Sequence, residues 1–236
     1  MGTSHKTTNT PCQDAHAIET LTVNGEELTF IAISDGAGTA IHADRGSSFA
    51  VNEWIKLAHD GLISGEAIGE QSLGAWALQV RANLTDLATA EGNSVGDYSC
   101  TLLGAIVSNT SAWLFQVGDG AWITRSGEVF EAQTWPFQGE YAGETIFITS
   151  AEAERHFQIK LSERIDALAG FTDGLERLAL SFSEKAVHGP FFAGMLAALK
   201  EREIEVMRPD VEAFLTSDRV IARTDDDKTL VLATAL

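Results

Sequence analysis

Aspartates stand where the apolar, strand-like runs of this 236-residue chain begin or stop, and that placement constrains the fold more than any other feature. The runs FIAISDG, WLFQVGDG and ALAGFTDG end in Asp35-Gly36, Asp119-Gly120 and Asp173-Gly174. Asp14 opens the first strand-like stretch, and Asp226 lies in TDDDKTLVLA just before the last. Aspartate is a poor strand residue, and its charge is costly inside a sheet sandwich. At strand ends, however, several carboxylates can converge on one rim and share divalent cations. A following glycine lets the chain turn sharply and brings a backbone carbonyl close to whatever the carboxylates hold.

The pattern along the chain predicts a layered α+β fold. Two strands, Asp14 to Val23 and Glu27 to Ser34, flank Asn24-Gly25, a strong hairpin signal. Ala50, Val51, Trp54, Ile55 and Ala58 recur at helical spacing, as do Leu73, Trp76, Ala77, Val80, Leu84 and Leu87. A four-stranded antiparallel meander is expected over Tyr98–Ala132, then strands at Thr145–Thr149 and Ile165–Thr172. Helices are expected around Phe191–Leu199 and Val211–Leu215, and a closing strand at Thr229–Thr234. Two packed sheets with helices outside would use every apolar stripe. Residues 134–163 are the least regular, with Trp135-Pro136, Gly139 and Gly143, and read either as a flap over a site or as a surface excursion.

Composition narrows the partners. A hydrophobic content of 44% supports one substantial core, and no apolar run approaches the roughly 20 residues that span a bilayer. The amino terminus lacks an apolar signal core, and Cys12 and Cys100 read as reduced thiols, so a cytoplasmic location is expected. A formal charge of −18 disfavours nucleic acid and anionic membranes. It also makes an anionic substrate awkward unless bound cations reverse the local field.

The aspartates suit Mg²⁺ or Mn²⁺, which favour oxygen ligands and keep several waters. Two such ions about 3.5–4 Å apart can lower the pKa of a shared water and clamp a phosphate, so that the hydroxide attacks phosphorus directly. No HExxH, GxSxG or GxxxxGK[ST] pattern offers an alternative chemistry, and neither cysteine has a nearby downstream arginine.

Read in order, HKTTNTPCQDA, AISDGAG, YSCTLLGAIV, FQVGDGAW, GFTDGL and DDKTLVLAT resemble the serial motifs of the metal-dependent PP2C-type (PPM) protein serine/threonine phosphatases, in a divergent bacterial branch. The resemblance runs from Gly2 to Leu236, one domain over 1–236. It implies a four-layer α-β-β-α sandwich of two antiparallel sheets flanked by helices. It also implies hydrolysis of phosphoserine or phosphothreonine in a protein substrate, with a cognate Ser/Thr kinase as the opposing activity. By the same resemblance Asp35 bridges two ions, the Gly36 carbonyl binds the second, and Asp173 and Asp226 complete the first ion's shell. Asp14 sits beside the centre, and Asp119 with Asp173 holds a third, weaker ion.

Departures from the family pattern are visible. Gln13 replaces a glutamate before the first aspartate, and Ala37 stands where eukaryotic members carry a histidine acid. No arginine lies upstream to grip the phosphate, which leaves His5 or Lys6 as the nearest replacement. These gaps keep open a second reading, a catalytically weak domain that binds a phosphorylated partner. Register within Asp225-Asp226-Asp227 favours Asp226, because Thr229 and the strand follow it at the family's spacing. Thr101 is expected to be structural, whereas His42, Arg45 and His156 either face the site or belong to solvated loops.

Overall fold

The computed structural model describes residues 1–23, 25–109, 111–139 and 144–234; Asn24 and Gly143 lie outside them. In chain order the elements are α1 (Thr3–Thr8), β1 (Asp14–Val23), β2 (Glu26–Asp35), α2 (Ala43–Ile63) and α3 (Glu70–Ala90). Then follow β3 (Leu102–Val107), β4 (Ser111–Val117), β5 (Ala121–Ser126), β6 (Val129–Ala132), β7 (Gln158–Glu163) and β8 (Ala167–Phe171). The chain continues through α4 (Glu176–Ala179), β9 (Leu180–Ser181), β10 (Ala186–Val187), α5 (Gly189–Glu201), α6 (Ile204–Leu215), α7 (Asp218–Ile221) and β11 (Leu230–Thr234). One sheet has the order β1-β2-β3-β4-β7, a second the order β11-β8-β5-β6, and all pairings in them are antiparallel.

Alternation along the strands explains why these sheets stack. Successive strand residues point to opposite faces. In β2, Phe30 and Ala32 join a core with Trp54, Ile55, Leu73 and Val80 of α2 and α3, while Ile31 and Ile33 point the other way. Those two meet Leu103, Leu114, Trp122, Leu168 and Val231, the layer between the sheets. On the far side, Ile123, Ala169 and Phe171 pack against Phe192 and Leu196 of α5. Three apolar clusters therefore lie between four layers of structure: helices, sheet, sheet, helices. The indole of Trp122 stitches the middle layer, donating from Nε1 to the Phe115 carbonyl of the opposite sheet at 3.0 Å. Truncating such a buried aromatic typically costs about 3–5 kcal/mol.

Three expectations need correction. The meander is divided, with β3 and β4 in the first sheet and β5 and β6 in the second. The turn Gly118-Asp119-Gly120 carries the chain across at the rim, and Gly118 takes φ +117°, where a Cβ would also strike Thr101. Thr145–Thr149 is not a strand; Ile146 and Ile148 alternate into the helix-side core and mimic one, but the ladder is missing and Ile148 N–H bonds the Cys100 carbonyl. Conversely, Gln158–Glu163 inside the irregular stretch is β7, an edge strand beside β4 whose polar, half-exposed side chains gave no apolar signal. No helix among the described residues is long and apolar enough to cross a membrane.

Candidate metal centre

The β1–β2 hairpin sets the first half of the site. Val23 pairs with Glu26, and the register runs unbroken from there to Asp14 opposite Asp35. Directly opposed residues share a face of the sheet, so the register set at Val23 and Glu26, about 30 Å away along the strands by their rise of roughly 3.4 Å per residue, fixes that both carboxylates meet at one rim. Asp35 is held by β3's approach: its N–H donates to Thr101 Oγ1 at 2.9 Å and its carbonyl accepts from Thr101 N–H at 2.8 Å. Thr101 is therefore structural. Gly36 bridges to Cys100 in the same ladder, and a Cβ there would lie 2.6 Å from the Ala43 carbonyl oxygen.

The second sheet supplies the other half. Ala121 and Leu230 both pair with Phe171, so the chain ends beyond β5, β8 and β11 leave the sheet side by side. Asp119, Asp173 and Asp226 are the residues found there, and all three line a cleft of about 580 Å³. Carboxylate oxygens of Asp35, Asp119 and Asp173 lie within 4.8 Å of one another. Asp14 is oriented from the second sheet, its Oδ2 accepting from Thr172 and Thr229 Oγ1, each at 2.8 Å. Five aspartates widely separated in sequence are thus gathered where the two sheets end.

Burial and mutual repulsion disfavour their ionised forms. Burial pushes Asp14 up to about 6 despite the two threonine hydrogen bonds, with the Asp227 charge adding to it. Asp119 rises to about 6 through burial and the Asp173 charge, and Asp173 to about 6 through burial, with Asp226 and Asp14 contributing. Asp35 is raised well above the carboxylate range by burial, then by Asp14, Asp173 and Asp119. Glu176, which also lines the cleft, is driven to about 9 by burial and by Asp119 and Asp173.

Divalent ions fit this arrangement. The donors are hard oxygens, and Asp14 Oδ1 and Asp173 Oδ1 are buried with no hydrogen-bond partner among the described residues, a condition that costs free energy until something positive arrives.

The neighbouring acids divide by role. Asp227 turns inward, where it accepts from the backbone N–H of Gly2, the backbone N–H of Gln13 at 2.7 Å and His5 Nδ1 at 2.7 Å. Burial opposes its charge, but those donors prevail and hold its pKa below the ordinary value. Asp226 Oδ1 accepts from Asp227 N–H at 2.8 Å, so the inward anchor positions the cleft-facing residue. His5 is consequently committed to Asp227, and Lys6 is exposed on α1; neither lines the cleft. The arginines that do are Arg177 and Arg223.

Arg45 is also spoken for, forked onto Glu91 and lying over the Tyr98 ring, against which His42 packs. His156 stands edge-on to Phe137, a cleft-lining residue. Sequence reasoning missed Glu176, Arg177 and Arg223. Glu176 and Arg177 follow Asp173-Gly174 within one turn, and that adjacency was the available signal.

Comparison with known proteins follows the same lines. The family profile for protein phosphatase 2C matches residues 1–216. Serine/threonine-protein phosphatase 3 of Escherichia coli (strain K12) is 34% identical over 239 residues, covering 99% of this chain and 94% of that protein. Serine/threonine phosphatase Stp1 from Staphylococcus aureus has the same fold at TM-score 0.62 and 17% identity, covering 95% of this chain and 89% of its own. RsbX, solved in complex with magnesium, gives TM-score 0.57 at 13% identity over 94% and 87% of the two chains. With the family profile spanning most of its length and a relative of that similarity, the chain belongs to the protein phosphatase 2C family.

Proposed function

We propose that this protein phosphatase hydrolyses phosphoserine and phosphothreonine in proteins with Mg²⁺ or Mn²⁺ held by Asp14, Asp35, Asp119, Asp173, Asp226 and the Gly36 carbonyl. The observation that carries the reading is the convergence of Asp35, Asp119 and Asp173 within 4.8 Å beside orphaned oxygens of Asp14 and Asp173. When bound, the ions supply Lewis acidity that activates water and neutralises phosphate charge. Asp35, with acids of both sheets around it, would be the carboxylate common to the ions. Thr172 and Thr229 fix the Asp14 carboxylate so that its free oxygen is presented to the centre. Asp119 and Asp173, together on the cleft wall, suit a third and weaker ion.

The cleft does the orienting. Its acidic floor admits a phosphate only in company with cations, which ties substrate entry to metal loading. Phe137 and Phe182 on its walls offer apolar contact for the peptide around the phosphorylated residue. Ala37 carries no proton donor, so the leaving oxygen would take its proton from water or from another group. The chain acts as one catalytic unit in the cytoplasm, opposing a Ser/Thr kinase. The test is hydrolysis of p-nitrophenyl phosphate and a phosphothreonine peptide with Mn²⁺, Mg²⁺ or EDTA. Turnover with Mn²⁺, none with EDTA and none in Asp35→Asn is the expected result. Full activity in Asp35→Asn would overturn the assignment.

A further inference from the structure

The cleft is lined by acids, yet two arginines also line it. Arg177 sits in α4, four residues beyond Asp173, and Arg223 lies three residues before Asp226. Among the described residues neither guanidinium has a carboxylate within 4.0 Å, whereas Arg45 is forked onto Glu91 and Arg202 pairs with Asp210 through one nitrogen. The two positions come from different segments of the chain, and each shares its segment with a proposed metal ligand. A guanidinium presents a planar set of donors matched to a carboxylate or phosphate, and two of them lining an otherwise acidic cleft, with no carboxylate partner among the described residues, suit an external anion.

We propose, resting on the phosphatase reading of this cleft, that Arg177 and Arg223 select phosphorylated segments bearing an acidic side chain within two residues of the phosphorylated one. Along an extended peptide, residues two apart share a face and lie about 7 Å from each other. With the phosphate at the aspartate rim, a carboxylate at that spacing reaches the wall where the arginines stand. The long-range field of the protein attracts basic segments and repels acidic ones. The arginines reverse that preference locally, since a lysine at the same place would meet two like charges. Selectivity here is a pairing and a rejection together.

The experiment uses the whole chain with Mn²⁺ and two phosphothreonine peptides that differ only in having glutamate or lysine at the two flanking positions on each side. Wild type is expected to show kcat/KM about tenfold higher for the glutamate peptide, expressed in KM. Arg177→Glu with Arg223→Glu should invert the order of the two peptides. The single changes Arg177→Gln and Arg223→Gln should each lose part of the preference, which guards against a misfolded double variant. p-Nitrophenyl phosphate carries phosphate without a carboxylate. A loss on it as large as that on the glutamate peptide would mean that the arginines grip the phosphate itself, and would overturn the proposal.

Equal kcat/KM for the two peptides in wild type, or a preference for lysine, would overturn it as well. Affinity for the corresponding phosphonate peptides, measured calorimetrically, separates this inference from the catalytic one. A wild type that binds the glutamate phosphonate more tightly, yet turns over no substrate, would refute catalysis and retain the selectivity.

Discussion

Replacing Asp35 by asparagine should stabilise the protein when metal is absent, although it should abolish activity. Without cations the rim holds acids that the fold makes hard to ionise: Asp14, Asp119 and Asp173 each move from 3.8 to about 6, and Asp35 moves further still. A carboxyl whose pKa is raised by folding favours the folded state below its unfolded value and loses that contribution as pH rises through the folded value. Between about pH 4 and pH 6, then, each of the three withdraws roughly 3 kcal/mol as it ionises, and their coupling makes the total less than additive. Asp35→Asn removes the charge nearest the others while keeping the side chain's size and its capacity to hydrogen-bond Asp173. A gain of about 1–3 kcal/mol at pH 7.5 follows, because the repulsive part is relieved and the cost of burying a polar group remains. For a chain of this size that is a rise of about 2–10 °C in melting temperature. At pH 4.5, where the acids are largely protonated, the difference should shrink towards zero. Adding Mn²⁺ at a hundredfold excess over its dissociation constant should raise wild type by about 3 kcal/mol and the variant by far less. Calorimetric melting of EDTA-treated protein across pH 4.5–7.5, with and without Mn²⁺, measures all of this. A variant less stable than wild type at pH 7.5 without metal, or one that gains as much from Mn²⁺, would refute the reasoning.

Two other perturbations probe the scaffold around the rim. Asp227→Asn places an amide donor against the Gly2, Gln13 and His5 donors and should cost about 2–4 kcal/mol in urea denaturation at pH 7. Because the Asp227 pKa is depressed, its contribution is present above 3.8 and lost as pH falls through the lower folded value, so the variant and wild type should converge in acid below the ordinary carboxylate range. Gly36→Ala drives a methyl group into the Ala43 backbone at 2.6 Å and should cost about 1–3 kcal/mol. Displacement of the adjacent Asp35 should lower Mn²⁺-dependent turnover by at least about tenfold, read at saturating substrate.

The parts of this protein that could be read from its sequence are those whose cause is local. The hairpin of β1 and β2 follows from two alternating runs around Asn24-Gly25, and its register alone puts Asp14 opposite Asp35. The paired apolar stripes of α2 and α3 likewise announce helices with one buried face. What escaped was decided by partners distant in sequence. β7 is polar and half exposed, and it is a strand because β4 offers it a free edge. Ile146 and Ile148 look like strand residues because their alternate burial is real, yet the backbone between them finds Cys100 and no ladder. The division of the expected meander turns on Gly118, whose left-handed backbone carries the chain from one sheet to the other.

The same distinction runs through the site. Each aspartate could be found from its own strand end, but the different fates of Asp226 and Asp227 depend on residues at the other end of the chain. Gly2, His5 and Gln13 take the Asp227 carboxylate, which leaves Asp226 to face the cleft. That pairing holds His5 against Asp227, whose N–H in turn donates to Asp226, so the N-terminal segment braces the last metal-ligand candidate. Within that segment Ser4 Oγ donates to the Asp225 carbonyl and His5 holds the Asp227 carboxylate, while the arginines that line the cleft are Arg177 and Arg223.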